Sequence, residues 1–171
     1  PIPMLMYVEY KVWMTPKDLV SQPLKHNFCD FALTLGEHAQ FTPHMYFYDG
    51  LYDHCRNPDL SNNCFNLCTN NGRYCSADPD GDMDKGASGA DLVTESLRRL
   101  CIWQEYGKDG IGVPFWDYFV EFLDRCDSDD AVDDAAVDGP VYFTSIECIK
   151  DAMKHSNIEF DIIQSCMDDA G

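Results

Sequence analysis

The residues with the most chemical potential lie between Cys64 and Gly86, CFNLCTNNGRYCSADPDGDMDKG, where three cysteines precede a run of aspartates. Thiol redox chemistry needs two cysteines two residues apart at a helix N-terminus, where the helix dipole lowers one thiol pKa. The chain has no such pair: three residues separate Cys64 from Cys68 in a stretch with no helical pattern, and Cys29 stands alone. Cys64, Cys68, Cys75 and His54 could supply a tetrahedral zinc set, although their spacing matches no standard zinc pattern. Asp80, Asp82, Asp84 and Asp91 stand at positions 1, 3, 5 and 12 of a helix-loop calcium pattern. That match fails at position 6, where Lys85 replaces glycine, and at position 12, where Asp91 replaces a bidentate glutamate. Asp78, Asp80, Asp82 and Asp84 remain candidate ligands for a loosely held calcium ion, beside the plainer reading of a solvated acidic loop. Acyl-transfer catalysis has no anchor: there is no Gly-x-Ser-x-Gly, and His26, His38, His44, His54 and His155 stand in no recognisable partnership. His44 reads as a hydrogen-bonded structural residue, and Trp103 and Trp116 read as core rather than ligand platforms.

No regular element can run through the Cys64–Gly86 stretch. Asn71-Gly72 demands a turn, and Pro79 and Gly81 break the residues beyond it. With so little hydrocarbon to bury, the segment needs a covalent or ionic restraint, and its cysteines are the obvious means. The chain carries nine cysteines in 171 residues, spread along its length. That pattern reads as a disulfide framework built in an oxidising compartment, the alternative being buried reduced thiols. Nine is odd, so at least one thiol is free or pairs outside this chain.

Thirty acids against twelve bases leave a net charge of -18. Phosphate binding needs a basic surface, which argues against nucleic acid and against direct docking on anionic lipid. Cations and basic peptides fit this charge, which also keeps a secreted protein dispersed. No apolar run approaches the roughly 18 residues of a membrane span. The chain opens on Pro1 without a signal peptide, so the expectation is an internal or processed start, with any targeting or anchoring segment outside it.

The positioning elements emerge from patterning. Met4–Met14 is rich in β-branched and aromatic residues and predicts a strand, with Val8, Tyr10 and Val12 alternating against Tyr7, Glu9 and Lys11. Thr15 and Pro16 resemble a helix start, while Pro23 argues that the main helix begins near Leu24. Leu24, Phe28, Phe31, Ala32 and Leu35 then keep helical spacing to Gly36, with Cys29 beside that stripe. Gln40–Tyr48 predicts a second extended stretch, in which Pro43 suits an edge or a bulge. Asp49-Gly50 is a turn, and irregular structure is expected from Cys55 to Ser88.

Gly89–Tyr106 predicts a helix capped by Ser88 and Asp91, with Leu92, Val93, Leu97, Leu100 and Cys101 inward and Glu95, Arg98, Arg99 and Gln104 elsewhere. Pro114 opens a helix apolar on most faces, carrying Phe115, Trp116, Phe119, Val120, Phe122, Leu123 and Cys126. Asp127–Gly139 holds six aspartates and no base and reads as a solvated loop. Val141–Met153 and Ile158–Met167 predict a helical hairpin, which a Cys148–Cys166 bond would staple.

Taken together, these residues resemble the cysteine-rich central luminal region of the plant-type vacuolar sorting receptors. The resemblance rests on CFNLCTNNGRYCSADPDGDMDKGASGADLV, on QFTPH (Gln40–His44), on WDYFVEFLDRC (Trp116–Cys126) and on the 17-residue gap between Cys148 and Cys166. It implies an α+β, helix-rich fold: a thioredoxin-like first strand at Met4–Met14 and a large disulfide-stapled helical insertion. The second half of the thioredoxin core is then expected after Gly171. Residues 1–50 would be partial core, 51–88 a disulfide-rich acidic loop and 89–171 a helical region of one domain.

The family places a cysteine pair just after the first strand, and here only Cys29 stands there. The resemblance thus makes Cys29 the free thiol and pairs Cys55, Cys64, Cys68, Cys75, Cys101, Cys126, Cys148 and Cys166 among themselves. Eight cysteines allow 105 arrangements; Cys148–Cys166 is the first pairing expected and Cys68–Cys75 the second. The implied function is a non-enzymatic luminal or extracellular protein-binding module of a receptor-like protein, with protein or basic peptide partners and neighbouring domains in the same chain. A structural scaffold subunit is the alternative, and a thiol oxidoreductase the third reading.

Overall fold

The computed structural model of the protein describes residues 8–18, 20–127 and 142–170. Its framework is a β-α-β unit: strand β1 (Val8–Met14), helix α1 (Gln22–Leu35) and strand β2 (Ala39–Met45). β1 and β2 pair in parallel, from Val8 opposite Ala39 to Met14 opposite Met45. Parallel strands need a crossover, and α1 supplies it. Alternation decides which face is covered. Tyr10, Val12 and Met14 on β1 and Ala39, Phe41, Pro43 and Met45 on β2 turn inward, while Glu9, Lys11, Trp13, Gln40 and Thr42 lie on the wetter face. The Phe41 amide donates 2.8 Å to the Gly110 carbonyl, on the edge of β2 away from β1. Pro43, two residues on, shares that edge, so its missing N–H removes no ladder bond.

α1 departs from its expected start and face. It begins at Gln22, with Pro23 in the first turn, where a proline nitrogen has no partner to lose. Thr15 caps nothing, its hydroxyl donating instead to the Lys17 carbonyl at 3.2 Å. Cys29 and Ala32 face the core, whereas Leu24 and Phe31 are each 70% exposed and Leu35 is 40% exposed. Of the large stripe residues, Phe28 packs inward, its ring centroid 5.9 Å from Tyr10 and 5.8 Å from Trp116.

Residues 48–75 form a small knot rather than purely irregular chain. β3 (Tyr48–Asp49), β4 (Cys68–Thr69) and β5 (Tyr74–Cys75) make an antiparallel sheet in the order β3-β5-β4. Asn70, Asn71 and Gly72 take φ of 48°, 53° and 81° in its turn. A β-carbon on Gly72 would stand 2.6 Å from the Cys55 carbonyl oxygen, so the turn closes on the rest of the knot only through glycine.

Helix α2 (Gly89–Tyr106) starts with a reciprocal cap: the Asp91 amide reaches Ser88 Oγ at 3.3 Å, and the Ser88 amide reaches Asp91 Oδ2 at 2.8 Å. Helices α3 (Val113–Cys126), α4 (Ile146–His155) and α5 (Phe160–Asp169) complete the described chain. The last two form the expected hairpin, turning at Ser156 and Asn157, the latter with φ 57°. α4 begins only at Ile146, because Ser145 Oγ caps it through the Cys148 amide at 3.3 Å. Most of the acidic loop predicted over 127–139 lies outside the described residues. Asp127 itself is buried and pairs with Lys17 Nζ at 2.8 Å, so it is not a solvated residue.

The core is aromatic, with Phe41 as its hub. Its ring centroid lies 4.5 Å from Trp116, 5.1 Å from Trp103, 5.2 Å from Tyr10 and 5.6 Å from Phe115. α3 buries Phe115, Trp116, Tyr118, Phe119 and Phe122, in keeping with its nearly all-round apolar pattern.

α2 is the surprise. Glu95, Arg98 and Arg99, expected away from the core, are 1%, 6% and 0% exposed. Arg99 Nε donates to Glu95 Oε1 at 2.9 Å, Arg98 Nη1 donates to Oε2, and the Tyr118 hydroxyl donates to Oε1 at 3.2 Å. The Arg99 guanidinium also lies 4.8 Å above the Phe119 ring and 5.2 Å from that of Phe122. The charges go inward paired on one helix face, with Arg99 Nη1 and Nη2 lacking hydrogen-bond partners while its guanidinium lies against the two rings.

Removing Glu95 would leave two buried cations without their anion. Glu95→Ala is therefore expected to cost about 3–5 kcal/mol in urea unfolding, with the far-ultraviolet spectrum retained at zero denaturant. A loss below about 1 kcal/mol, the scale of an exposed ion pair, contradicts the buried network.

Candidate functional site

Cysteine chemistry is decided by position. Four cystines form, Cys55–Cys64, Cys68–Cys75, Cys101–Cys166 and Cys126–Cys148, and Cys29 remains reduced. The expected Cys148–Cys166 staple is absent. α4 packs on α3 and turns Cys148 to Cys126 at the α3 C-terminus, while α5 packs on α2 and turns Cys166 to Cys101. Each arm of the hairpin is thus tied to a different neighbour rather than to the other arm.

Cys29 sits in the middle of α1, 2% exposed, with its thiol donating to the Lys25 carbonyl one turn back at 3.3 Å. Burial pushes the thiol up to about 12; Asp30 adds to the shift and Arg99 opposes it. No second cysteine is beside it, and the helix dipole that activates a thiol acts at the first turn. Tyr118 is likewise raised well above its ordinary value, burial being the first cause and Glu95 the second.

The zinc set does not assemble. Cys64, Cys68 and Cys75 are all consumed in cystines, and a disulfide sulfur is not a thiolate ligand. Among the described residues, the one group of three or more donor atoms within 4.8 Å of one another is Cys55, Cys68 and Cys75, all three oxidised.

Three aspartates of the acidic loop, Asp78, Asp80 and Asp82, are turned back on their own backbone. Asp78 Oδ1 accepts from the Gly81 amide at 2.9 Å, Asp80 Oδ1 from Asp82 at 2.8 Å, and Asp82 Oδ1 from Asp84 at 3.2 Å. Asp82 also pairs with Lys85 at 3.1 Å, and Asp91 is engaged in the α2 cap. The carboxylates serve as turn and cap acceptors here. Burial, followed by the Asp80 side chain, raises Asp78, while the Lys85 side chain lowers Asp82.

The knot seats on α2 through Gly89, where a β-carbon would meet the Ser76 carbonyl oxygen at 2.2 Å and Leu67 Cα at 2.9 Å. His44 stacks on Trp13 with centroids 4.4 Å apart, on the sheet face turned away from the core. Trp13 is 67% exposed there, an aromatic surface that its place in the alternation with Tyr10 and Val12 could have revealed.

A β-α-β frame carrying a cystine-stapled helical region, with a lone buried thiol in its crossover helix, defines a thioredoxin-like scaffold without a redox pair. The chain belongs to the vacuolar sorting receptor thioredoxin-like domain family, whose pattern it matches over residues 8–171. It is 28% identical to vacuolar-sorting receptor 7 of Arabidopsis thaliana and 29% identical to vacuolar-sorting receptor 1 of Pisum sativum, each alignment covering 95% of this chain and 25% of the relative. Vacuolar-sorting receptor 3 of Arabidopsis thaliana is 34% identical over 70% of the chain and 20% of its own length. The chain thus spans about a quarter of the receptors it matches along its length.

Burial of Cys29 has a measurable pH signature. The unfolded thiol loses its proton near its ordinary 9.0 and the folded one only near about 12, so stability is full below pH 9.0 and falls as pH rises through that window. Tyr118 acts in the same direction, so Cys29→Ala is expected to flatten the alkaline decline only in part. At about pH 8 the native thiol should resist iodoacetamide and react after unfolding. Native labelling at the rate of a free thiol, or an alkaline profile unchanged by Cys29→Ala, contradicts this placement.

Proposed function

We propose that this domain is a non-enzymatic protein-recognition module of a sorting receptor, working in the lumen of the endomembrane system. The observation that carries the reading is Cys29: a thioredoxin-like frame keeps one thiol in its crossover helix, buried and pushed up to about 12. Such a thiol is neither a nucleophile nor half of a redox pair at neutral pH. Four cystines fit an oxidising lumen. The relatives are named as sorting receptors, and a receptor acts by binding protein cargo.

The partner is a protein or peptide, and the net charge of -18 favours a basic one. Complementary charge acts mainly on encounter and selectivity, so the interaction carries a salt signature. Other domains of the receptor would share in cargo recognition, and this domain would bind or position alongside them. A purely structural role predicts no peptide affinity, and a thiol oxidoreductase predicts insulin disulfide reduction that disappears with Cys29→Ser.

Fluorescence anisotropy of a labelled basic peptide against the full-length receptor tests the reading. Raising ionic strength from about 0.01 M to about 1 M shortens the screening length from about 30 Å to about 3 Å. Affinity is expected to fall at least about tenfold over that range. Affinity indifferent to salt, or catalytic insulin reduction that depends on Cys29, would falsify the proposal.

A further inference from the structure

A recess of about 820 Å³ runs between α2 and α5. Leu97 and Leu100 on α2 and Ile162 on α5 line it, with the Cys101–Cys166 cystine between the helices. Ile163 is the residue of α5 that enters the core, which leaves Ile162 47% exposed. Glu105, Asp161 and Asp169 stand among the lining residues, and no lysine or arginine does. Lys108, just past the end of α2, holds its Nζ 3.9 Å from Glu105, and its side chain is 75% exposed. An uncovered apolar floor beneath a one-signed rim has the form of a binding groove.

We propose that this groove docks a basic amphipathic peptide segment, with its apolar side chains on Leu97, Leu100 and Ile162 and its lysines or arginines against Glu105, Asp161 and Asp169. The proposal rests on the reading of the domain as a protein-recognition module and gives that reading a location. Charge complementarity selects the occupant. A second copy of this chain brings a net charge of -18 to an acidic rim, and an acidic peptide is repelled in the same way. A purely apolar segment leaves Asp161 and Asp169 without a cationic partner. Lysine and arginine stems also cover apolar surface while their charged ends reach the rim.

The test uses the full-length receptor and a fluorescein-labelled synthetic peptide of about twelve residues with leucines at i, i+3, i+4 and i+7 and lysines elsewhere. A control peptide has glutamate in place of each lysine. Hydrogen exchange maps the bound face, and circular dichroism checks the fold of each variant. The lysine peptide is expected to bind, to slow exchange in α5, and to lose at least about tenfold in affinity with Ile162→Glu or with Asp161→Lys plus Asp169→Lys. Asp59→Lys, exposed and distant in sequence, should leave affinity unchanged. Binding that protects another face, or that the groove variants do not weaken, overturns the groove while the recognition reading stands. An α5 already protected in the free receptor means another part of that chain fills the groove, and overturns the proposal. No binding of either peptide in any arm overturns the groove and the recognition reading together.

Discussion

The carboxylate of Glu95, 1% exposed, holds two guanidiniums of its own helix and the hydroxyl of Tyr118 from the next. Such a network is a poor source of net stability, since desolvating the ions offsets most of their attraction. What it sets is register. Glu95 can satisfy Arg98, Arg99 and Tyr118 together only where α2 and α3 cross at one rotation and one height. Arg99 then lies across the Phe119 and Phe122 rings, so an error in that crossing would cost both ion pairing and ring contact. The other elements are placed by α2: the sheet through Phe41 and Trp103, the knot through Gly89, and α5 through Cys101–Cys166.

That dependence explains which parts of the fold could be read from residue pattern. Ser88, Asp91 and the apolar spacing of Gly89–Tyr106 define α2 locally, and its ends fall where the pattern puts them. The near-continuous apolar surface of α3 likewise marks a central helix. The burial of Arg98 and Arg99 is different. It depends on Glu95 one turn away and on Tyr118 in another helix, and charge patterning alone assigns such residues to solvent. The face of α1 is misleading for a related reason. Leu24, Phe28, Phe31 and Leu35 make a regular stripe, but of these only Phe28 packs on the core, beside the buried Cys29 and Ala32.

The separated sequence marks that resemble sorting receptors meet in space. Phe41 of QFTPH lies 4.5 Å from Trp116, the first residue of WDYFVEFLDRC. The cysteine-rich stretch seats Leu67 and Ser76 against Gly89, at the head of α2. These motifs are packing solutions, which is why they identify a fold firmly and a chemistry hardly at all. Disulfide connectivity is the least legible feature. Cys148 and Cys166 are a hairpin apart in sequence, yet each follows the helix its own arm packs on. Pairing is a tertiary fact, and spacing within one motif cannot supply it.

The state of the Cys29 thiol follows from the packing of the crossover helix. A reactive thioredoxin-like thiol needs a helix N-terminus, a second sulfur and access to solvent. Cys29 has none of these: it lies in mid-α1, is 2% exposed and is the one cysteine outside a cystine. Once the crossover helix packs through its cysteine, the scaffold cannot keep that cysteine available. The proposed binding role draws instead on surface charge and relief. The charge is overwhelmingly acidic, and the α2–α5 groove is a place where that acidity borders uncovered hydrocarbon. The Cys101–Cys166 bond lines the groove and fixes the separation of its two walls. In the proposed docking, a groove braced in this way would meet its peptide with little of its own ordering left to do, which lowers the entropic cost of association.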